Sequence, residues 1–123
     1  MSVKNCSDKQ LLKQLSEVLC ENMPQGKVDI KTLAKQLALS PSQLNRRVMV
    51  ATGQTTSDFV LNIRIDKAKR LLAKFPDTTI FETARECGFA DTAHFSHVFR
   101  RKVGQSPTQY IHGLHNPNPP KKE

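Results

Sequence analysis

The chain has 123 residues, enough for one ordinary domain or two very small ones, and its net charge of +8 favours a polyanionic partner over a merely solvated basic surface. No apolar run approaches the roughly 18–20 residues that span a bilayer, and the N-terminus lacks the apolar stretch of a secretory signal. Three widely spaced cysteines, an odd number, argue against a disulfide framework. The sequence therefore predicts a cytoplasmic domain without membrane contact.

The chain begins with a segment that shows no periodicity, and residues 1–7 are predicted to be disordered. Apolar residues then recur at helical spacing up to Asn22, which predicts a leading helix capped by Ser7 or Asp8. The run Pro24-Gln25-Gly26 ends that helix.

Two shorter helices follow before the middle of the chain. Asp29 can cap the first, and Ser40 can cap the second, which begins at Pro41 and stops at Gly53. A long helix is then predicted up to Lys74, about 27 Å for 18 residues. Its first half is apolar on nearly all sides, so it has to be covered on more than one side.

The second half of the chain repeats the signals of the first. A short helix is predicted from Ile80 to Cys87, a longer one from the Asp91 cap to Gly104, and a last short one after Ser106. The predicted organisation is a disordered N-terminus (1–7), a leading helix with a first helix-turn-helix (8–55), a central linker helix (56–74), a second helix-turn-helix (75–112) and a disordered tail (113–123).

Residues 30–59 match residues 80–110, with one extra residue in the turn of the second copy. The matched pairs are Ile30 with Ile80, Ala34 with Ala84, Leu37 with Cys87, Leu39 with Phe89, Leu44 with Phe95, Val48 with Phe99, Gly53 with Gly104, and Phe59 with Tyr110. A short helix, a tight turn and a second amphipathic helix form a helix-turn-helix unit. The predicted fold class is therefore all-α, with two helix-turn-helix subdomains joined by a long central helix.

The second helix of each copy has a polar face without Asp or Glu. This face comprises Ser42, Asn45, Arg46 and Met49 in the first copy, and Ala93, Ser96, His97 and Arg100 in the second. Asparagine pairs well with adenine and arginine with guanine in the major groove. A solvated helix face is always polar, but the lack of acidic residues in both copies favours contact with DNA.

These residues lie in segments that resemble the DNA-binding domain of AraC/XylS-family transcription regulators. The resemblance runs through LAKQLALSPSQLNRRV, Gly53, NIRIDKAKRLL and IFETARECGFADTAHFSHVFRRKVGQSPTQY. It implies a homeodomain-like arrangement in which two recognition helices enter successive major-groove segments on one face of the duplex. Thr56 departs from the family, which commonly has proline there.

The resemblance also implies roles for individual residues. It implies base contacts from Ser42, Gln43, Asn45 and Arg46 in the first copy and from Thr92, Ala93, Ser96 and His97 in the second, and phosphate contacts from Arg47, Arg100 and Arg101. Since Ala93 has no hydrogen-bonding group and His97 replaces a frequent arginine, the second copy is expected to read fewer bases. Arg64 is interpreted as part of a buried ion pair that braces the central helix, in preference to a DNA contact.

Other chemistry has little support in the sequence. His94 with His97, and His112 with His115, are spaced to share helix faces, but no zinc-ligand motif is present, so no metal or cofactor is predicted. Cys20 and Cys87 are interpreted as core residues. No catalytic arrangement is found, so the chain is not expected to be an enzyme.

The function predicted from the sequence is sequence-specific binding of double-stranded promoter DNA for transcription regulation, most often activation, in bacteria. RNA polymerase and an upstream sensing or dimerisation domain of a longer protein are the expected partners, and a stand-alone small regulator is the alternative to such a longer protein. The stretches LNRRV and GQTTSDFVLNIR are similar to output domains of hybrid two-component sensors, whose kinase activity would lie outside this chain. The alternatives are a non-specific DNA-binding protein and a helical protein-interaction module with a basic face.

Overall fold

A computed structural model describes the backbone of residues 2–75 and 77–115 and the side chains of residues 9–75 and 77–114. Within these ranges every element of secondary structure is a helix and no strand is present, which confirms the all-α prediction. The elements are α1 (Ser2–Asn22), a 3-10 turn (Met23–Gln25), α2 (Ile30–Gln36), α3 (Pro41–Thr52), α4 (Thr56–Lys74), α5 (Ile80–Glu86), α6 (Thr92–Val103) and α7 (Pro107–His115). None of the described helices is long and apolar enough to cross a membrane.

Three helices, α2, α3 and α6, begin at the N-cap residues that the sequence predicts. Asp29, Ser40 and Asp91 each accept a backbone N–H of the helix that follows them. Ser40 and Gln43 form a reciprocal capping box, with N···O distances of 3.0 and 3.1 Å. The predicted glycines end α3 and α6 in the left-handed conformation.

The predictions of disorder at the two ends of the chain were wrong for the residues that the structure describes. α1 begins at Ser2, so residues 2–7 are helical and Ser7 and Asp8 lie inside the helix instead of capping it. This segment holds neither glycine nor proline, and extending a helix costs less than nucleating one. α7 likewise runs through residues 113–115, because the first proline after it is Pro117. The rest of the predicted tail, residues 116–123, and residue 1 lie outside the described ranges.

Two hydrophobic cores share α4. The first module, made of α1–α3 and the start of α4, buries Leu44 and Val48 completely, and the second module, made of the rest of α4 with α5–α7, buries Phe95 and Phe99 completely. From α4, Val60 enters the first core, and Ile65, Ala68 and Leu72 enter the second. α4 is therefore both the last helix of the first module and the first helix of the second.

The two modules also touch each other directly. The 3-10 turn packs against α5, and Val28, which follows that turn, lies against Gly88 at the end of α5. A Cβ atom placed on Gly88 would lie 2.7 Å from Cγ1 of Val28 and 3.4 Å from the carbonyl oxygen of Met23. α4 is therefore not the only connection between the modules.

Cys20 and Cys87 differ in exposure. Cys87 is buried, as predicted, but Cys20 is exposed because Leu19 and Met23 take the inner positions on that side of the first core. Burial raises the pKa of the Cys87 thiol to about 11. The interpretation of Cys20 as a core residue was therefore wrong.

This difference predicts selective alkylation. In the native protein at pH 8, iodoacetamide is expected to label Cys20 and to leave Cys87 unmodified, since a thiol pKa of about 11 in place of 9.0 lowers the thiolate fraction about 100-fold. Peptide mass spectrometry of time points would measure both rates, with urea-unfolded protein as the control in which the two cysteines react alike. Equal rates in the native protein would contradict the buried position of Cys87.

Candidate nucleic-acid interface

α3 presents one exposed face opposite its buried one. Because Leu44 and Val48 are held in the first core, the residues around them turn outward. Ser42, Gln43, Asn45, Arg46 and Met49 are exposed, and Arg47 is partly exposed. All six residues predicted on this helix are therefore accessible to a large partner.

α6 has the same arrangement in the second module. Phe95, Val98 and Phe99 are buried, and the rings of Phe95 and Phe99 form a row of aromatic contacts that reaches Tyr110 on α7. The residues on the other side are Ala93, His97, Arg100 and Arg101, which are exposed, and Thr92 and Ser96, which are partly exposed. The six residues predicted on this helix are thus accessible as well.

The electrostatic character of both helices is positive. Neither α3 nor α6 contains an acidic residue, and the last turn of α6 carries Arg100, Arg101 and Lys102 in succession. Cations in the last turn of a helix also interact favourably with its dipole. Both faces can therefore approach a polyanion without repulsion from their own side chains.

Hydrogen bonds within the protein already hold two of the predicted residues. The side-chain oxygen of Gln43 accepts the backbone N–H of Ser40 at 3.0 Å. The Oδ1 atom of Asn45 accepts the backbone N–H of Thr56, the first residue of α4, also at 3.0 Å. This second bond was not predicted from the sequence, although Thr56, which stands where the family commonly has proline, was the signal that could have revealed it.

Arg64 does not form the ion pair that we predicted. Its Nε–H donates to the backbone carbonyl of Cys87 at 2.9 Å, and its guanidinium carbon lies 4.0 Å from the centroid of the Phe89 ring. Among the described residues no carboxylate pairs with it. A carbonyl at the end of α5 and an aromatic face supply the negative potential that the prediction assigned to a carboxylate.

The described histidines do not belong to a cluster of metal ligands. The ring of His94 packs edge-on against Phe89, with 5.6 Å between the ring centroids. In the described ranges no three His, Cys, Asp or Glu side chains are placed to hold a metal ion together. The side chain of His115 lies outside those ranges.

Known protein families and relatives match the part of the chain that contains the two helix-turn-helix units. A family model described as a helix-turn-helix domain matches residues 33–113. The transcriptional activator RhaS of Escherichia fergusonii is 37% identical over 86 residues, which are 70% of this chain and 31% of RhaS. Histidine kinase P4 of Formosa agariphila is 28% identical over 103 residues, which are 84% of this chain but only 7% of the kinase. The chain thus spans a third or less of these two relatives.

Solved structures share the architecture. The DNA-binding domain of AdpA, a global transcriptional factor solved in complex with a target DNA, is 26% identical with a TM-score of 0.73, over 88% of this chain and 97% of that one. An AraC-type regulator from Chromobacterium violaceum is 21% identical with a TM-score of 0.77, over 92% of this chain and 99% of that one. The second likeness concerns the fold alone.

Proposed function

The chain belongs to the AraC/XylS family of transcription regulators as a sequence-specific DNA-binding domain, and from this premise we propose that it places α3 and α6 in successive major-groove segments on one face of a promoter. Neighbouring major-groove segments on one face recur about 34 Å apart. α4, about 28 Å long at 1.5 Å for each of its 19 residues, is of the same order as this spacing and can hold the two modules apart.

One observation carries this proposal: each module exposes a helix face without acidic residues, opposite the face that it buries. Leu44 and Val48 hold α3 in its core, as Phe95 and Phe99 hold α6. A basic protein-interaction module would require no such correspondence between two copies. The repeated presentation of an acid-free helix is what two successive grooves of one duplex require.

We assign different tasks to the residues on these faces. Arg46 reads a guanine edge, with Ser42 and Met49 beside it, and Gln43 contributes its free amide N–H groups. Thr92, Ser96 and His97 contact bases from α6, with the methyl group of Ala93 against the groove. Arg47, Arg100 and Arg101 hold phosphates, which position the helices without reading sequence.

The experiment that tests the proposal is selection of bound duplexes from a random pool, followed by titration of the selected duplex and a scrambled version at several salt concentrations. We expect a common motif, preference for the selected duplex, and a steep log-linear fall of affinity with salt. Equal affinity for both duplexes would identify a non-specific binder. Absence of any retardation would identify a protein-interaction module.

Arg46→Ala is expected to weaken binding to the selected duplex by about 1–3 kcal/mol and to relax preference at one base pair. The bidentate contact to guanine is lost, while the backbone contacts remain. Arg101→Ala is the matched control because it removes a phosphate contact, so it should weaken all duplexes similarly and make the salt dependence shallower by about one counterion. Equal losses on selected and random duplexes for Arg46→Ala would contradict its reading role.

Membership of this family also suggests what surrounds the domain in a longer protein. RhaS and histidine kinase P4 each contain a matching segment of similar length within a much larger chain. We propose that a sensing or dimerisation domain precedes α1 in such a protein, that the domain acts with RNA polymerase at promoters, and that it works in the bacterial cytoplasm where the chromosome lies. A kinase activity, where one exists, belongs to that other part.

A further inference from the structure

The bond between Asn45 and Thr56 joins the exposed helix of the first module to the start of α4. Thr56 is only 1% exposed, so its backbone N–H has no access to water. The first N–H groups of a helix have no partner within the helix, and a buried one must find a partner elsewhere. Asn45 supplies that partner from the preceding helix, at 3.0 Å.

The second module solves the same problem without such a bond. In the repeat, Pro107 occupies the position of Thr56 and Ser96 the position of Asn45. Pro107 is also buried at the first position of its helix, but it has no N–H to satisfy. Asparagine thus stands where the following helix exposes an N–H, and serine stands where it does not.

A second feature shows that threonine fits this position imperfectly. The hydroxyl oxygen of Thr56 is buried without a hydrogen-bond partner among the described residues. Threonine at position 56 thus buries two polar groups, its N–H and its hydroxyl, that proline would lack. The amide of Asn45 pairs with the first of them. Asn45 therefore has a structural role within the first module although its side chain is exposed on the surface.

We propose that Asn45 is a positioning residue that fixes α3 against the N-terminus of α4, and that it does not read adenine. The inference rests on the proposed function and replaces the base contact that the family resemblance implied for Asn45. A bidentate contact to adenine uses both the oxygen and the nitrogen of an asparagine amide. In this chain the oxygen is turned toward Thr56, so base preference on α3 comes from Arg46 and its other neighbours.

The test compares Asn45→Ala, Thr56→Pro and the double variant with the parent protein. Proline fits position 56 because Thr55 has φ −70° and ψ 160°, the extended conformation that residues before proline adopt, and because proline is favoured at the first helical position. We measure urea unfolding and binding to the selected duplex and its single-base-pair variants. Arg46→Ala, with and without Thr56→Pro, is the control.

Asn45→Ala is expected to lower the unfolding midpoint and to weaken binding to every duplex about tenfold, because a buried N–H loses its partner and α3 its anchor. Thr56→Pro removes that N–H, so the double variant should regain the unfolding midpoint and return to within about twofold of the parent affinity, with unchanged base preference. Thr56→Pro should not rescue Arg46→Ala.

A double variant that stays weak, or that loses preference at one base pair, would show that Asn45 reads DNA and would overturn the inference. Unfolding decides the structural part separately: if Asn45→Ala unfolds like the parent, the positioning role is wrong even where DNA binding is intact. Failure of the parent protein to prefer the selected duplex would instead count against the proposed function.

Discussion

Replacing Arg64 by alanine is expected to lower the free energy of unfolding by about 2–4 kcal/mol. Two interactions are lost at once: the hydrogen bond from Nε to the Cys87 carbonyl at 2.9 Å and the stacking of the guanidinium on Phe89 at 4.0 Å. Both join α4 to the turn between α5 and α6. The turn between α5 and α6 is therefore expected to detach from α4 first.

Burial reduces the net gain from Arg64 without cancelling it. It lowers the pKa of the Arg64 guanidinium, because a low-dielectric site disfavours the charged form. An arginine nevertheless remains protonated in proteins, so its charge is available to both partners at neutral pH. The carbonyl left behind in the alanine variant has to find water at a half-buried site.

Lys67→Ala is the matched control for Arg64→Ala. Lys67 also lies on α4 and donates to a carbonyl at the end of α5, that of Glu86 at 3.2 Å, but this hydrogen bond is exposed. Its loss should change stability by about 0.5 kcal/mol or less. Urea unfolding measures both variants. A normal unfolding midpoint for Arg64→Ala together with weakened DNA binding would assign Arg64 to the nucleic-acid interface instead.

The parts of the fold that follow from local chemistry were predictable from the sequence. Asp29, Ser40 and Asp91 cap their helices through bonds to residues two or three positions away, which a sequence pattern contains directly. The repeat added long-range information, because it aligned Leu44 with Phe95 and predicted that both are buried. Periodicity within one helix was enough to place Leu44 and Val48 on the buried face of α3 and Phe95 and Phe99 on that of α6.

Contacts between distant segments were not predictable in this way. Nothing near Gly88 in the sequence indicates that Val28 lies against it, since 60 positions separate them. The prediction of a carboxylate partner for Arg64 was wrong for a related reason. A buried cation requires negative potential, and sequence alone does not distinguish a carboxylate from a helix-end carbonyl and an aromatic ring.

The candidate interface was predictable as a set of exposed positions but not as a set of free side chains. Gln43 and Asn45 lie on the predicted face, yet each has its oxygen bound within the protein. Helical periodicity reports the direction in which a residue points. It does not report whether the polar atoms of that residue are already engaged.

Gly88→Ala is the second variant with a large expected effect, a loss of about 2–4 kcal/mol in the free energy of unfolding. Gly88 has φ +86°, a conformation in which a side chain costs about 1–2 kcal/mol. The new Cβ would also lie 2.7 Å from Cγ1 of Val28, so the two modules would have to separate slightly. Backbone strain and steric overlap therefore add.

Gly104→Ala separates the two contributions. Gly104 has φ +94°, and a Cβ there meets no atom of the other described residues within 4 Å, so this variant should lose only the backbone part, about 1–2 kcal/mol. Val28→Ala makes room for the Cβ that Gly88→Ala introduces, so in a double-mutant cycle it should cost less beside Gly88→Ala than in the parent, with a coupling of about 1 kcal/mol. The contrary result is an equal loss for Gly88→Ala and Gly104→Ala with no coupling to Val28. It would mean that the contact between Val28 and Gly88 adjusts without cost, and α4 alone would then set the separation of α3 and α6.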